Sequence, residues 1–153
     1  MKAVLQRVID ACVTVGGIEK GRIKRGLLVY LGVAHDDCEK DAQMLAEKIA
    51  YLRIFDDEQG KMNLSLKDIA SIDPDCGVLA VSQFTLLADT HKGRRPSWNM
   101  AAAPDKAKEL YEYFIGKIKE QNLTCESGEF QAHMMVSYTN DGPVTILLDS
   151  KND

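Results

Sequence analysis

The sequence lacks any apolar run long enough to span a bilayer, which argues against a membrane-spanning helix. Its start, Met1–Arg7, also lacks the apolar core and the cleavage site of a secretory signal. What remains is 45% hydrophobic and 27% charged residues, a composition typical of a soluble globular protein. The 153 residues fit one domain, which we expect over 1–150, with a polar tail at 151–153. We expect a cytoplasmic location.

Cysteine and histidine are too scattered to indicate a metal site. The four cysteines form no C-x-x-C pair and have no histidine at zinc-finger spacing, so we interpret them as free thiols: Cys12, Cys38, Cys76 and Cys125. The three histidines belong to no nucleophile motif such as G-x-S-x-G. We therefore predict neither a metal nor another cofactor. A generic esterase with a triad around Ser82 stays open, because a triad assembles in space.

A surplus of positive charge is also absent, since the formal net charge is −4. This argues against a protein that coats nucleic acid through bulk charge, but it leaves room for a local basic patch. The segment 91–98 is such a patch, because Lys92, Arg94 and Arg95 lie close to Trp98. These residue types suit phosphate contact and base stacking at an RNA end. The alternative is a solvated loop.

The hydrophobic pattern predicts more strands than helices. Strands are predicted at 3–8 and 11–15, followed by Gly16–Gly17, which suits a tight hairpin turn. Residues 27–33 are apolar on both alternating faces, as in a central strand covered on two sides. Further strands are predicted at 54–55, 78–84, 130–139 and 144–148.

Two segments have the apolar spacing of amphipathic helices. The first is 37–53, with Asp36 or Asp37 as its N-cap, and the second opens at Pro104. Their predicted buried stripes are Leu45, Ile49 and Leu52 in the first, and Leu110, Phe114 and Ile118 in the second. Because the opening hairpin precludes simple β-α alternation, we predict an α/β (α+β-like) fold, with mixed β-sheets and the two main helices packed on one side.

The polar segment Ser82–Thr85 directly follows the apolar residues of a predicted strand. Ligand sites often gather at strand ends, where backbone N–H groups could hold an oxyanion. Thr85 could orient a substrate or a water molecule through its hydroxyl. The alternative is a strand that turns polar where it emerges into solvent.

The segment Asn140–Asp141–Gly142–Pro143 allows two interpretations. It is rich in turn formers, which favours an ordinary hairpin turn. Alternatively, the Gly142–Pro143 peptide could aim bare carbonyls at a ligand, because Gly has no side chain and Pro fixes the local geometry. Residue type alone does not assign the isomer of this bond.

Five segments, taken in order, carry a family resemblance. They are Leu5–Val8, Leu52–Asp57 with Gly60–Asn63, Ser82–Leu86, Lys92–Ser97 and Asn140–Thr145. Together they resemble D-aminoacyl-tRNA deacylase, and the match runs from Met1 to about Ser150.

The resemblance implies a hydrolase with a D-aminoacyl-tRNA deacylase-like fold. Its substrates would be esters of D-amino acids, or of glycine, with the terminal adenosine of tRNA. It further implies a cytoplasmic homodimer without a metal, acting on tRNA and neither on DNA nor at a membrane. The alternative from another class is a non-catalytic module that binds a tRNA end or a nucleotide.

The resemblance also assigns site residues. It places Gln83, Phe84 and Thr85 in the catalytic set, and Lys92, Arg94 and Arg95 at tRNA phosphates. The substrate-binding set is Ser82, Gly142, Pro143, Met134 and Arg7. A cis Gly142–Pro143 peptide from one subunit would enter the other subunit's pocket and exclude the Cβ of an L-residue. Hydrolysis would rely on the 2′-hydroxyl of the substrate, with Thr85 as a positioning group.

Three positions depart from the family pattern. Gln131 and His133 stand where a small and an acidic residue are usual, and Trp98 stands where Phe is common. The first two bear on the lining of the adenosine pocket.

Overall fold

The computed structural model describes residues 1–152. The strands are β1 (Lys2–Val15), β2 (Ile18–Ile23), β3 (Gly26–Gly32), β4 (Phe55–Asp56), β5 (Met62–Leu64), β6 (Gly77–Ser82), β7 (Thr124–Ser127) and β8 (Met135–Asp149). The helices are α1 (Glu39–Tyr51), α2 (Leu66–Ala70) and α3 (Pro104–Glu120), and a 3₁₀ turn spans Phe84–Leu87. Asp153, the end of the predicted tail, lies outside the described residues.

Strand β1 organises the main sheet, because three strands pair with it. Both β3 and β2 pair antiparallel with successive halves of β1, and β8 pairs antiparallel along nearly its whole length. Strand β6 joins β3 in parallel, and β7 joins β6 in parallel. A Cβ added to Gly21 of β2 would lie 2.8 Å from the carbonyl oxygen of Ser127 in β7, so only glycine permits this approach. The sheet thereby curves into a nearly closed barrel.

Alternate residues of the central strands pack into two cores. The core beneath α1 and α3 takes Leu27 and Val29 from β3, together with the helical Phe114. The core inside the curved sheet takes Leu28 and Leu79. Each such buried side chain contributes about 2 kcal/mol. The predictions of a two-sided central strand and of two main helices on one side are confirmed.

In two places, a pair of separately predicted strands forms one continuous strand in the structure. Residues 3–8 and 11–15 join in β1, and 144–148 joins the end of 130–139 in β8, while 130–134 is not a strand. The β1–β8 register shifts twice, near Arg7 and near Ile9, so the chain absorbs extra residues as bulges without breaking the strand. The hairpin interpretation of Asn140–Pro143 is therefore wrong.

The ends of two elements also differ from prediction. Asp37 does not cap α1, because its carboxylate accepts the Ala34 N–H at 2.6 Å and pairs with the Met1 ammonium at 2.6 Å. Cys38 is the N-cap, and its N–H donates to Asp41 at 2.9 Å. Strand β6 ends at Ser82 instead of residue 84.

Ser150 and Lys151, which follow β8, contact the start of α1. The Ser150 hydroxyl donates to Asp41 at 2.7 Å, and the Lys151 ammonium lies 3.0 Å from the same carboxylate.

Within residues 1–152, no helix has the length and apolar character needed to cross a membrane.

Candidate active site

A cavity of about 580 Å³ opens where the parallel strands β3 and β6 end. Four of the predicted site residues line it: Ser82, Gln83, Phe84 and Met134. Leu31 of β3 and Val33 just after this strand continue its wall, and Pro104, Ala107 and Tyr111 come from the first half of α3. This volume suits a small-molecule ligand or the end of a longer one.

The segment after β6 bends sharply at the cavity wall. The Gln83 N–H donates to the Leu31 carbonyl at 2.8 Å, which extends the ladder by one residue and leaves this N–H unavailable to a ligand. The 3₁₀ turn then begins at Phe84. The N–H groups of Phe84 and Thr85 are the first donors of this turn and have no acceptor within it, so they can serve an anionic oxygen.

Thr85 stands beside the cavity lining and is exposed. Its Oγ1 accepts a hydrogen bond from the side-chain amide of Gln83, which does line the cavity. The amide therefore restricts the directions open to the hydroxyl proton, because an N–H donor occupies one of the lone pairs on Oγ1.

Sequence reasoning missed two aromatic residues of the cavity, Tyr111 and Phe130. Their ring centroids lie 6.0 Å apart. The Tyr111 hydroxyl donates to the Ala80 carbonyl at 2.8 Å, and burial raises the pKa of this phenol, so it stays protonated as a rigid wall of the site. The only available sequence signal was the place of Tyr111 next to Leu110 on the apolar stripe of α3.

The segment between Phe130 and Met134 forms the opposite wall. Gln131 and His133 both line the cavity and are exposed, so the two departures from the family pattern face the cavity. Gln131 has a φ of 64°, a left-handed backbone that residues with a side chain rarely adopt.

Arg7, which was predicted to bind substrate, is buried and lies outside this cavity lining. Its guanidinium donates to the Ile54 carbonyl at 2.7 Å and lies 3.5 Å from the Asp56 carboxylate in β4. On the other side, its Nε lies 3.0 Å from the Asp141 carboxylate. Arg7 therefore joins the β4–β5 hairpin to the segment that carries Gly142.

The Gly142–Pro143 peptide is cis, the isomer that the family resemblance implies. Gly142 has a φ of 125°, and a Cβ there would lie 2.8 Å from the Val144 side chain, so glycine is required. The Asn140 side-chain amide holds this bulge by donating to the Arg7 and Val144 carbonyls at 2.9 and 3.1 Å. Gly142 and Pro143 are exposed and lie outside the chain's own cavity lining.

The predicted phosphate-contact residues Lys92, Arg94 and Arg95 lie on an exposed loop. The loop is closed at its base, where the backbones of Asp89 and Ser97 exchange hydrogen bonds of 2.9 and 3.0 Å. No ion pair in residues 1–152 involves any of the three cations.

Metal binding would need several ligands in one place. Among the described residues, no three His, Cys, Asp or Glu side chains group as metal ligands would. The absence of a metal or cofactor requirement stays a prediction.

Known sequences match this chain over almost its whole length. A sequence profile of the D-Tyr-tRNA(Tyr) deacylase family matches residues 4–149. A D-aminoacyl-tRNA deacylase of Koribacter versatilis (strain Ellin345) is 59% identical over 153 residues, which cover 100% of this chain and 99% of that protein. A D-aminoacyl-tRNA deacylase of Thermotoga petrophila (strain ATCC BAA-488 / DSM 13995 / JCM 10881 / RKU-1) is 56% identical over 150 residues, or 98% of this chain and 97% of that protein.

Solved structures share the fold. The c-Myc DNA unwinding element binding protein aligns with a TM-score of 0.87 and 39% identity, over 97% of this chain and 98% of that one. A probable eukaryotic D-amino acid tRNA deacylase aligns with a TM-score of 0.80 and 18% identity, over 96% and 97% of the two chains. The resemblance carried by the five sequence segments is confirmed, and the chain belongs to the D-Tyr-tRNA(Tyr) deacylase family.

Proposed function

We propose that this protein hydrolyses the ester that joins a D-amino acid, or glycine, to the terminal adenosine of tRNA. The products are the free amino acid and tRNA, so the activity removes D-residues before translation uses them. The observation that carries this proposal is the cavity at the ends of β3 and β6, because the family segment Ser82–Phe84 forms its wall. Relatives named D-aminoacyl-tRNA deacylase at 54–59% identity support it.

The residues around the cavity can supply orientation and charge stabilisation. Water adds to the ester carbonyl carbon, the bond to the ribose oxygen breaks, and that oxygen takes the proton that the water loses. The N–H groups of Phe84 and Thr85 stabilise the oxyanion that forms. The neighbouring 2′-hydroxyl of the ribose assists the attack, since an oriented intramolecular group has a high effective concentration.

Discrimination between D- and L-residues falls to Gly142 and Pro143. Because both are exposed and lie outside the chain's own cavity lining, we propose that they enter the cavity of a second copy. Strand β8 supports a homodimer: it pairs only with β1 among residues 1–152, and it exposes 63% of Met135 and 75% of Leu147. The carbonyl groups of the inserted dipeptide then collide with the Cβ of an L-residue, while glycine escapes.

The basic loop completes the proposed tRNA site. Lys92, Arg94 and Arg95 are free to contact phosphates near the 3′ end. A cytoplasmic location follows from the substrate and belongs to this proposal.

A second candidate function rests on one of the structural relatives. The c-Myc DNA unwinding element binding protein is named for binding DNA, and it is 39% identical to this chain. The competing proposal is therefore a non-catalytic module that holds a single-stranded nucleic-acid end in the same cavity.

Deacylation of D-tyrosyl-tRNA, L-tyrosyl-tRNA and glycyl-tRNA separates the two candidates. We expect release of D-tyrosine and glycine, and L-tyrosine release close to the rate without enzyme. Equal release of both tyrosine enantiomers would refute the proposed filter. Binding of tRNA or of a single-stranded DNA oligonucleotide, with no release from any ester, would favour the non-catalytic module.

A further inference from the structure

An aromatic pair, Phe84 and Trp98, stands at the border of the cavity. The two ring centroids lie 5.2 Å apart with their planes at 72°, an edge-to-face arrangement that aromatic rings favour. Phe84 belongs to the cavity lining, whereas Trp98 lies outside it. Both rings remain open to solvent, with 56% of Phe84 and 39% of Trp98 exposed.

The backbone on both sides of Trp98 is fixed. Before it, Asp89 and Ser97 are bridged by two hydrogen bonds, and after it the Ala101 N–H donates to the Trp98 carbonyl at 2.9 Å. The next N–H, that of Ala102, donates to the Val33 carbonyl at 2.9 Å and so joins this stretch to the cavity wall. A ring on such a support gives up little conformational freedom when a ligand stacks on it.

The charge around Trp98 favours one kind of ligand. Lys92, Arg94 and Arg95 lie in the same loop and are exposed, and no ion pair within residues 1–152 neutralises them. An aromatic face beside unpaired cations is the combination with which proteins bind single-stranded nucleic acid. In a chain of net charge −4, this concentration of positive charge is local.

We propose that Trp98, supported by Phe84, is the stacking site for the base of the nucleotide that precedes the terminal adenosine. This inference rests on the proposed function. A cavity of about 580 Å³ suits one aminoacyl nucleoside, so the nucleic-acid chain must place its next base outside. Trp98 is the aromatic side chain in contact with the Phe84 wall. Lys92, Arg94 and Arg95 are exposed in the same loop and would contact the phosphate that joins the two nucleotides.

Two minimal substrates test this subsite: D-tyrosyl adenosine and the D-tyrosyl ester of the trinucleotide CCA. For Trp98→Ala, we expect the loss of kcat/KM to be about tenfold larger on the trinucleotide than on the nucleoside, mainly through KM. Trp98→Phe should recover most of it. Tyr51→Ala, which removes an exposed aromatic ring at the end of α1, is the matched control and should change neither.

A third substrate, a trinucleotide with an abasic penultimate position, identifies the stacked group. Removal of the penultimate base should lower kcat/KM of the wild type by about as much as Trp98→Ala lowers it on the CCA ester. For Trp98→Ala itself, removal of the base should lower kcat/KM little further. Equal losses of the variant on nucleoside and trinucleotide, or no loss on either, would overturn the stacking site. If the wild type hydrolyses none of these esters or D-tyrosyl-tRNA, the proposed function itself fails.

Discussion

Thr85 has the surroundings of a group that orients a reactant. Its hydroxyl oxygen accepts from the Gln83 amide, and an amide N–H cannot take up a proton. Among residues 1–152, no imidazole or carboxylate hydrogen-bonds to Thr85. A hydroxyl attacks an ester efficiently only when a neighbouring base removes its proton, so Thr85 lacks what a nucleophile needs.

Replacement of Thr85 should therefore reduce activity only moderately. A positioning hydrogen bond contributes about 1 kcal/mol, so Thr85→Ala should lower kcat on D-tyrosyl-tRNA by about fivefold. Thr85→Val keeps the volume and removes the hydroxyl, and it should match the Ala variant if the hydroxyl alone matters. Single-turnover rates measure both. A fall to the uncatalysed rate in both variants would instead identify Thr85 as the nucleophile.

Gln131 shows what residue types could not reveal at the site. The alternating pattern predicted an extended chain from 130, yet Gln131 is left-handed and costs about 1 kcal/mol relative to glycine. Contacts on either side stabilise it: the Ala132 N–H donates to Glu129 at 3.2 Å, and the Gly128 N–H donates to Ala80 at 3.1 Å. The first contact is a local turn, but the second joins residues 48 apart in the sequence, so no local pattern encodes it.

The first turn of α1 depends on a charged network with Ser150 and Lys151. Burial acts to raise the pKa of Asp41, but hydrogen bonds from Ser150, Lys151 and Cys38 outweigh it and hold the pKa well below its usual range. A depressed folded-state pKa stabilises the protein above the unfolded pKa of about 4, and this stability is lost as the pH falls through the folded value.

Asp41→Asn should make stability less sensitive to acid. At pH 7 we expect a loss of about 1 kcal/mol in the free energy of unfolding, because the charge that Lys151 pairs with is gone. Between pH 5 and pH 2 the variant should lose less stability than the wild type. Urea unfolding at several pH values measures this. Glu109→Gln, on the exposed face of α3, is the control, and an unchanged acid response of Asp41→Asn would contradict the network's role.

Whole elements could be predicted where one pattern decides them. Residues 27–33 are apolar on both faces because two cores enclose β3, and Pro104 opens α3 as expected. The joining of strand pairs into β1 and β8 could not be predicted, since bulges place turn-forming residues such as Asn140 inside a strand. The 3₁₀ turn that begins at Phe84 could not be predicted either, because a single short turn has too few residues to show a hydrophobic periodicity.

In the whole molecule, the curved sheet leaves one edge of a long strand without a hydrogen-bonding partner strand among residues 1–152. Strand β8 has 15 residues, and within the described chain only β1 pairs with it. An open edge beside exposed apolar side chains favours self-association, and a two-fold dimer would use the same surface on both copies. The Gly142–Pro143 peptide does not line the cavity of its own chain, so such a dimer could bring the peptide of one copy to the cavity of the other.

A charge introduced on the β8 surface should therefore dissociate the dimer, and the loss of activity should accompany the dissociation. Leu147→Glu places a carboxylate on a side chain that is 75% exposed in the single chain, so folding is spared while an interface must bury the charge. We expect the dimer dissociation constant to rise by about 30-fold or more. Light scattering would follow mass, and D-tyrosyl-tRNA hydrolysis would follow activity over a range of protein concentration.

The control is Ile72→Glu, at a side chain that is 81% exposed, which should change neither the mass nor the activity. A monomer with full activity and intact D-over-L preference would show that each chain carries a complete site, and the inserted Gly142–Pro143 peptide would have to be abandoned.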